Sequence, residues 1–178
     1  LLNRDEPIVI FNGDVLSRHS IADQIAFHQK NSADVTLHLI EVEDARAFGC
    51  VPTDAAGRVT AFLEKMENPV SNMINAGCYV FNREVIADIP ANEVVSVERQ
   101  VFPELIAANK KVMGYIESAY WLDIGTPATL MKGSKDLVTG LADGAALERD
   151  KGAHRSPEGS SRSQKGRGRS TGGSSIGA

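Results

Sequence analysis

Hydrophobic residues along this chain fall into short β-type runs that alternate with stretches of helical spacing. The run Pro7-Ile8-Val9-Ile10-Phe11 leads into Asn12-Gly13-Asp14. Its consecutive large apolar residues, mostly Ile and Val, predict a strand buried on both faces. Ser20-Ile21-Ala22-Asp23 reads as a helix start with Asp in the Glu position of a capping box. It predicts a helix through Lys30 with Ile21, Ile25 and His28 along one face. Residues 33–42 alternate as a strand with Val35, Leu37 and Leu39 on one side. Asp54-Ala55-Ala56-Gly57 is a turn joining Cys50-Val51-Pro52 to residues 59–63, hence a hairpin.

Residues 73–81 predict another strand, followed by a short helix near 83–89. Pro103 suits the first turn of a helix containing Leu105, Ile106 and Ala108, which ends before a strand at 112–116. Thr126 caps and Pro127 opens a last helix, with Leu130, Met131, Ser134, Leu137 and Val138 expected toward the core and Gly140 at its end. This alternation predicts an α/β domain with a mixed, mostly parallel sheet.

Composition changes that picture little in the body and much in the tail. The 178 residues, 42% hydrophobic and 24% charged, suit one globular domain with its own core. A net charge of -4 gives no sign of a nucleic-acid partner. The two cysteines, Cys50 and Cys78, sit inside apolar stretches and read as small core residues of a reducing, cytoplasmic compartment. No apolar run approaches the roughly 20 residues of a membrane span. The opening Leu1-Leu2-Asn3-Arg4-Asp5 is no signal peptide and has no initiator methionine, which suggests a start inside a larger protein. Residues 151–178 carry six Lys/Arg against one Glu, and 14 of those 28 residues are Gly or Ser, so disorder is expected there. No aromatics interleave with the basic residues, which argues against a nucleic-acid arm.

Candidate chemistry gathers where runs end. Asp14 follows one strand and Asp123 another, in Trp121-Leu122-Asp123-Ile124-Gly125, each near a glycine. Open α/β sheets bind ligands beyond the carboxyl ends of their strands, and two such carboxylates can share one divalent cation. Taken singly, each is as readily a turn former or cap. Glu64-Lys65 closes the hairpin as either a solvated ion pair or a phosphate and hydroxyl reader. Asn75-Ala76-Gly77 opens a strand with residues that strands disfavour, either an irregularity or a polyol-binding edge. His19, His28, His38 and His154 have no metal spacing, and no nucleophile elbow is present.

In order, Phe11-Asn12-Gly13-Asp14, Phe48-Gly49, Phe62-Leu63-Glu64-Lys65, Ile74-Asn75-Ala76-Gly77-Cys78-Tyr79-Val80-Phe81, Val97-Glu98-Arg99-Gln100-Val101-Phe102-Pro103 and Tyr120-Trp121-Leu122-Asp123-Ile124-Gly125-Thr126-Pro127 resemble the sugar-1-phosphate nucleotidyltransferases. The segment beginning at Glu98 tilts the resemblance toward the mannose-1-phosphate guanylyltransferase branch. The resemblance implies a Rossmann-like nucleotide-diphospho-sugar transferase fold over residues 1–140. It implies a reaction in which GTP and a sugar 1-phosphate give GDP-mannose and pyrophosphate. It places Mg2+ on Asp14 and Asp123, the sugar phosphate on Lys65, and the sugar at Gly49, Glu64, Asn75 and Gly77.

The family's glycine-rich triphosphate loop is missing from this sequence, so the chain matches the sugar-side part, truncated at its N-terminus, and impaired turnover is expected. Residues 141–178 are then a linker and tail, with Gly173-Ser174-Ser175-Ile176-Gly177-Ala178 resembling one turn of a hexapeptide-repeat β-helix. A glucose-1-phosphate uridylyl- or thymidylyltransferase and a catalytically silent regulatory or scaffold subunit stay open as alternatives, as does a homo-oligomer. A glycosyltransferase does not fit, because Val15-Leu16 after Asp14 breaks the Asp-x-Asp motif.

Overall fold

The computed structural model describes residues 6–142. Strands β1 (Ile8–Phe11), β3 (Val35–Glu41), β4 (Met73–Phe81) and β5 (Val112–Ile116) form one sheet in the order β1-β4-β3-β5. Strands β2 (Val15–Ser17) and β6 (Trp121–Asp123) form a separate antiparallel ribbon. Helix α1 (Ile21–Lys30) lies between β2 and β3 in sequence, α2 (Arg83–Ala87) and α3 (Phe102–Ala107) between β4 and β5, and α4 (Pro127–Val138) follows β6.

The sheet is mixed, as its alternation predicts. β3 and β5 pair in parallel, and β1 runs the same way as β3 because each is antiparallel to the β4 between them. Helical connections carry the chain between strands of equal direction, as parallel strands require. The expectation of mostly parallel pairing needs correction, since β4 is wedged in reversed and makes both its ladders antiparallel. It is reached through the 50–63 arm, whose bridges Cys50–Leu63 and Thr53–Val59 form the expected hairpin around the 54–57 turn.

Burial on both faces belongs to β3, not to β1. In β3 the alternate residues Thr36 and His38 are as buried as Val35, Leu37 and Leu39. By contrast β1 is an edge strand among the described residues, half-buried along its length, with Phe11 52% exposed. The main core packs Val35, Leu37, Leu39, Val59, Tyr79, Phe81, Phe102 and Val112, and Phe102 meets Phe62, Tyr79 and Phe81 ring to ring. Cys50 and Cys78 are buried free thiols, and burial pushes Cys78 up to about 12.

Two helix faces differ from their patterns. In α1 the buried residues are Gln24 and His28, while Ile21 is 40% exposed. His28 spans Thr36 Oγ1 (2.9 Å) and Asn82 Oδ1 (3.0 Å), so polar anchoring wins over the aliphatic positions. Ser20 Oγ accepts from the Asp23 amide as expected. The Ser20 amide is taken by Glu117 Oε2, so the capping box closes on one side only. In α4 the expected core residues Leu130, Met131, Ser134, Leu137 and Val138 are exposed. The buried positions are Gly133 and Asp136. Gly133 sits so close to Leu16, Leu122 and Ile124 that a side chain there would collide, and Asp136 accepts from Tyr120 and pairs with Lys132. The Thr126 cap forms as expected, with Thr129 completing a reciprocal box. The 141–178 linker and tail lie outside the described residues beyond 142.

Candidate active site

Asp14 sits in the turn between β1 and β2, and Asp123 ends β6. Their elements are locked together: Val15 is paired opposite Asp123 in the β2–β6 ribbon. The Ile124 amide donates to the Asp14 carbonyl at 2.8 Å. Both carboxylates converge on Gly125. A methyl group placed on Gly125 would stand 3.0 Å from Asp123 Oδ1 and 3.4 Å from Asp14 Oδ2. Gly125 thus leaves open the space that both carboxylates face. Asp123 Oδ1 accepts from the Gly125 amide at 2.7 Å, which fixes that side chain, and its second oxygen has no hydrogen bond among the described residues.

This donor set fits a hard divalent cation. Two carboxylates from separate elements suit Mg2+, which takes few protein ligands and keeps its other positions for water and phosphate oxygens. No group of three or more metal-binding side chains occurs among the described residues, so the site offers an open pair and no closed cage.

A second polar group lies on β4 beside it. The Asn75 side-chain amide donates to Tyr79 Oη (2.7 Å) and Glu98 Oε1 (2.8 Å), while its oxygen accepts from the Gly77 amide (3.1 Å). The Tyr79 hydroxyl also lies 3.2 Å from Glu98 Oε1 and 3.4 Å from Asn12 Oδ1. Burial raises the Tyr79 pKa well above the usual phenol value, so it stays a neutral donor. Glu98 sits in the π-helical turn Val97–Val101, whose entry is capped by the Ser96 hydroxyl accepting from the Arg99 amide. Both Asn75 amide hydrogens are therefore spent inside the protein. Glu98 itself is exposed, and both hydrogen bonds it makes among the described residues fall on Oε1.

Two links join the clusters. Asn12, two residues before Asp14, donates its amide to the Gly77 carbonyl at 2.8 Å, and its side chain packs on Gly77. Gly77 has φ +79, a conformation that side chains disfavour, and a Cβ there would press on Asn12 at 3.1 Å. Trp121, two residues before Asp123, donates from Nε1 to the Ala76 carbonyl at 2.9 Å and meets Phe48 edge-on.

Gly49, at φ +76, backs directly onto the Leu63–Lys65 backbone, where any side chain would strike the Leu63 carbonyl. That contact brings residues 63–65 to the same wall. Glu64 is tied to Arg99 at 3.0 Å, both exposed, and Lys65 is exposed with no ion pair among the described residues. Asp14 and Asp123 are thus brought together. Asn75, Gly77 and Gly49 line the neighbouring wall, while the Lys65 side chain makes no contact with the carboxylates. Sequence reasoning gave no role to Glu98, Tyr79, Asn12 or Trp121. Each lies inside a motif quoted above, but only three-dimensional contact shows which of its residues turn inward.

The chain is similar in sequence and fold to known proteins. A 53% identical relative over 150 residues is the mannose-1-phosphate guanylyltransferase of Mycobacterium tuberculosis, matched along 84% of this chain and 42% of its own length. A probable mannose-1-phosphate guanylyltransferase 3 of Arabidopsis thaliana is 32% identical over 78% of this chain and 41% of its own. The chain therefore spans less than half the length of these curated relatives. The crystal structure of HddC from Yersinia pseudotuberculosis superposes with a TM-score of 0.62 at 22% identity, covering 74% of this chain and 56% of that one, which shows the shared fold. The nucleotidyl transferase family profile matches residues 1–140, and the chain belongs to that family.

Proposed function

We propose that this chain is the sugar-phosphate-binding part of a mannose-1-phosphate guanylyltransferase, which makes GDP-mannose and pyrophosphate from GTP and mannose 1-phosphate. An oxygen of the sugar phosphate forms a new bond to the α-phosphorus of GTP, and the bond to the β,γ-pyrophosphate breaks. Such a displacement asks the protein for alignment and charge neutralisation more than for covalent help. Asp14 and Asp123 hold Mg2+, which when bound supplies a Lewis acid against the phosphate oxygens. Lys65 sets a compact positive charge against the sugar phosphate. Glu98 accepts hydrogen bonds from sugar hydroxyls, held in place by Asn75 and Tyr79, and Glu64 and the Gly49 and Gly77 backbone shape the rest of the sugar wall. Two buried free thiols suit a reducing cytoplasm.

The observation that carries this reading is the convergence of the two carboxylates on Gly125 beside the Asn75–Glu98 cluster. Its support from relatives is the 53% identity to a mannose-1-phosphate guanylyltransferase. The test is a residue-resolved NMR titration of the full chain with mannose 1-phosphate, with and without Mg2+. Shifts confined to residues 12–15, 49, 64–65, 75–79, 98 and 123–125, and strengthened by Mg2+, are expected. Equal shifts with free mannose, or none that depend on Mg2+, would overturn it.

A further inference from the structure

A buried polar knot takes no part in the proposed chemistry, yet it anchors the ribbon that carries Asp123 and adjoins Asp14. Gln24 Nε2 lies 3.3 Å from the carbonyls of Thr36 and Cys78, which turns the amide oxygen toward His19 Nε2 at 3.0 Å. That nitrogen of His19 therefore carries the proton, and its Nδ1 accepts from the Ser17 hydroxyl at 2.9 Å. Ser17 ends β2, and the next amide, of Arg18, donates to the Tyr120 carbonyl just before β6. The His19 ring is stacked on His38 of β3 with centroids 3.9 Å apart. His38 is fully buried, its Nε2 faces the Glu117 carbonyl, and its Nδ1 has no partner among the described residues. The β2–β6 ladder spans three residue pairs, from Val15–Asp123 to Ser17–Trp121. So short a two-stranded ladder is marginal by itself and depends on such anchors.

We propose that His19 is a positioning residue for the cation site: stacked on His38 and bonded to Gln24 and Ser17, it latches the β2–β6 ribbon onto the sheet, and a proton on the stacked pair releases it. The inference rests on the reading of Asp14 and Asp123 as one cation site. The surroundings offer a charged ring little. Glu117, from the loop after β5, acts on both rings, but its carboxylate is committed to the Ser20 amide and the Tyr115 hydroxyl. Asp23 of α1 acts on Tyr115. Tyr115 on β5 and Cys78 on β4, whose thiol donates to Gln24 Oε1, are each pushed up to about 12 by burial and stay neutral. His28, the other buried histidine of α1, is turned to Thr36 and Asn82. Burial first and His19 second lower His38 to about 4, and burial lowers His19 against the pull of Gln24 and Glu117. A released ring takes up its proton near pH 6.5, so the latch is closed above that value and loosens as pH falls below it. A cation that needs the latched ribbon must, by linkage, oppose that proton.

Amide exchange of the full chain, followed by NMR at pH 7.5 and 5.5 and corrected for its intrinsic pH dependence, tests the latch. Opening at the Arg18 amide should rise about tenfold at pH 5.5, the factor expected for one ring released at pH 6.5, while the β3–β4 ladder stays protected. Saturating Mg2+ at pH 5.5 should restore Arg18 protection several-fold. His19→Gln, which keeps a donor for Gln24 but cannot titrate, should open equally at both pH values, as should His19→Asn. Mn2+ broadening of the amides of Asp14, Val15, Asp123 and Gly125 at pH 7.5 reports the cation site separately. With that broadening present, Arg18 opening that ignores either acid or Mg2+ overturns the latch and leaves the cation reading standing. So does a rise shared equally by the β3–β4 ladder, or one that persists in the His19 variants. No broadening there at pH 7.5 overturns the cation reading and the latch with it.

Discussion

The two ends of the candidate cleft are built on opposite plans. Around Asn75 almost every polar atom is spent inside the protein: amide to phenol and carboxylate, carbonyl to the Gly77 amide. Around Asp14 and Asp123 only one carboxylate oxygen is hydrogen-bonded among the described residues, and the space between the two is kept clear by Gly125. A satisfied network anchored on the buried Tyr79 holds shape, because polar groups with all partners in place resist rearrangement. An open carboxylate pair holds nothing until a cation arrives. On the proposed reading the first region is a template for the sugar and the second a socket for charge, and substitutions at the two should fail differently.

Asp123→Asn should have the largest effect. It removes one charge from the socket while leaving an oxygen for the Gly125 amide, so folding should be preserved. In an enzyme completed by its nucleotide-binding part, turnover should fall by about 100-fold or more, read as pyrophosphate release at saturating Mg2+. Gly49→Ala strains the wall that positions residues 63–65. A collision with the Leu63 carbonyl combined with φ +76 should cost roughly 3 kcal/mol of stability in chemical denaturation.

Acid should act on the scaffold through its buried histidines. His38 is buried against His19, with ring centroids 3.9 Å apart, and its Nδ1 has no partner. Burial first, and the neighbouring His19 second, lower its pKa to about 4, while Glu117 opposes weakly. The unfolded chain takes up this proton near pH 6.5 and the folded chain only near 4. Stability is therefore full above about 6.5 and falls as pH drops through that window, by about 3 kcal/mol for His38 alone. His19, lowered chiefly by its own burial, adds in the same direction. His38→Phe, which removes the titrating group, should flatten the denaturation midpoint between pH 6.5 and 4.

Tyr79→Phe sharpens the comparison at the template end. It removes the hydroxyl that braces Asn75 and Glu98 and should cost about 1 kcal/mol of stability. Mannose 1-phosphate affinity should weaken several-fold while Mg2+ affinity is unchanged. The smallest effect belongs to Arg99→Ala, because the exposed Glu64–Arg99 pair should contribute less than about 1 kcal/mol to stability in a double-mutant cycle.

The socket was legible in the sequence because each aspartate follows an apolar run and a nearby glycine is conspicuous. The template was only half legible. Asn75 and Gly77 stand out as residues that strands disfavour, yet Tyr79 looks like an ordinary strand aromatic and Glu98 like any surface acid. Their roles arise from a contact across 19 residues that no local pattern encodes. The helices show the same limit. Capping at Ser20 and Thr126 is local chemistry and follows the sequence, except that the Ser20 amide finds Glu117 in place of Asp23. Which face of α1 and α4 turns inward is only partly legible: His28 is buried as expected, but Gln24 and Asp136 are buried by polar partners from outside their helices while Ile21 and the α4 aliphatics are exposed. Likewise β1 and β3 exchanged their expected burial, since an apolar run does not say whether a neighbouring strand lies beside it.

The central claim is that Asp14 and Asp123 form one cation site. Mn2+ titration of the full chain, followed by paramagnetic broadening of assigned amide signals, tests it most directly. Broadening centred on Asp14, Val15, Asp123 and Gly125, lost in Asp123→Asn and displaced by Mg2+, is the expected result. Broadening centred elsewhere, or unaltered in that variant, would contradict the account.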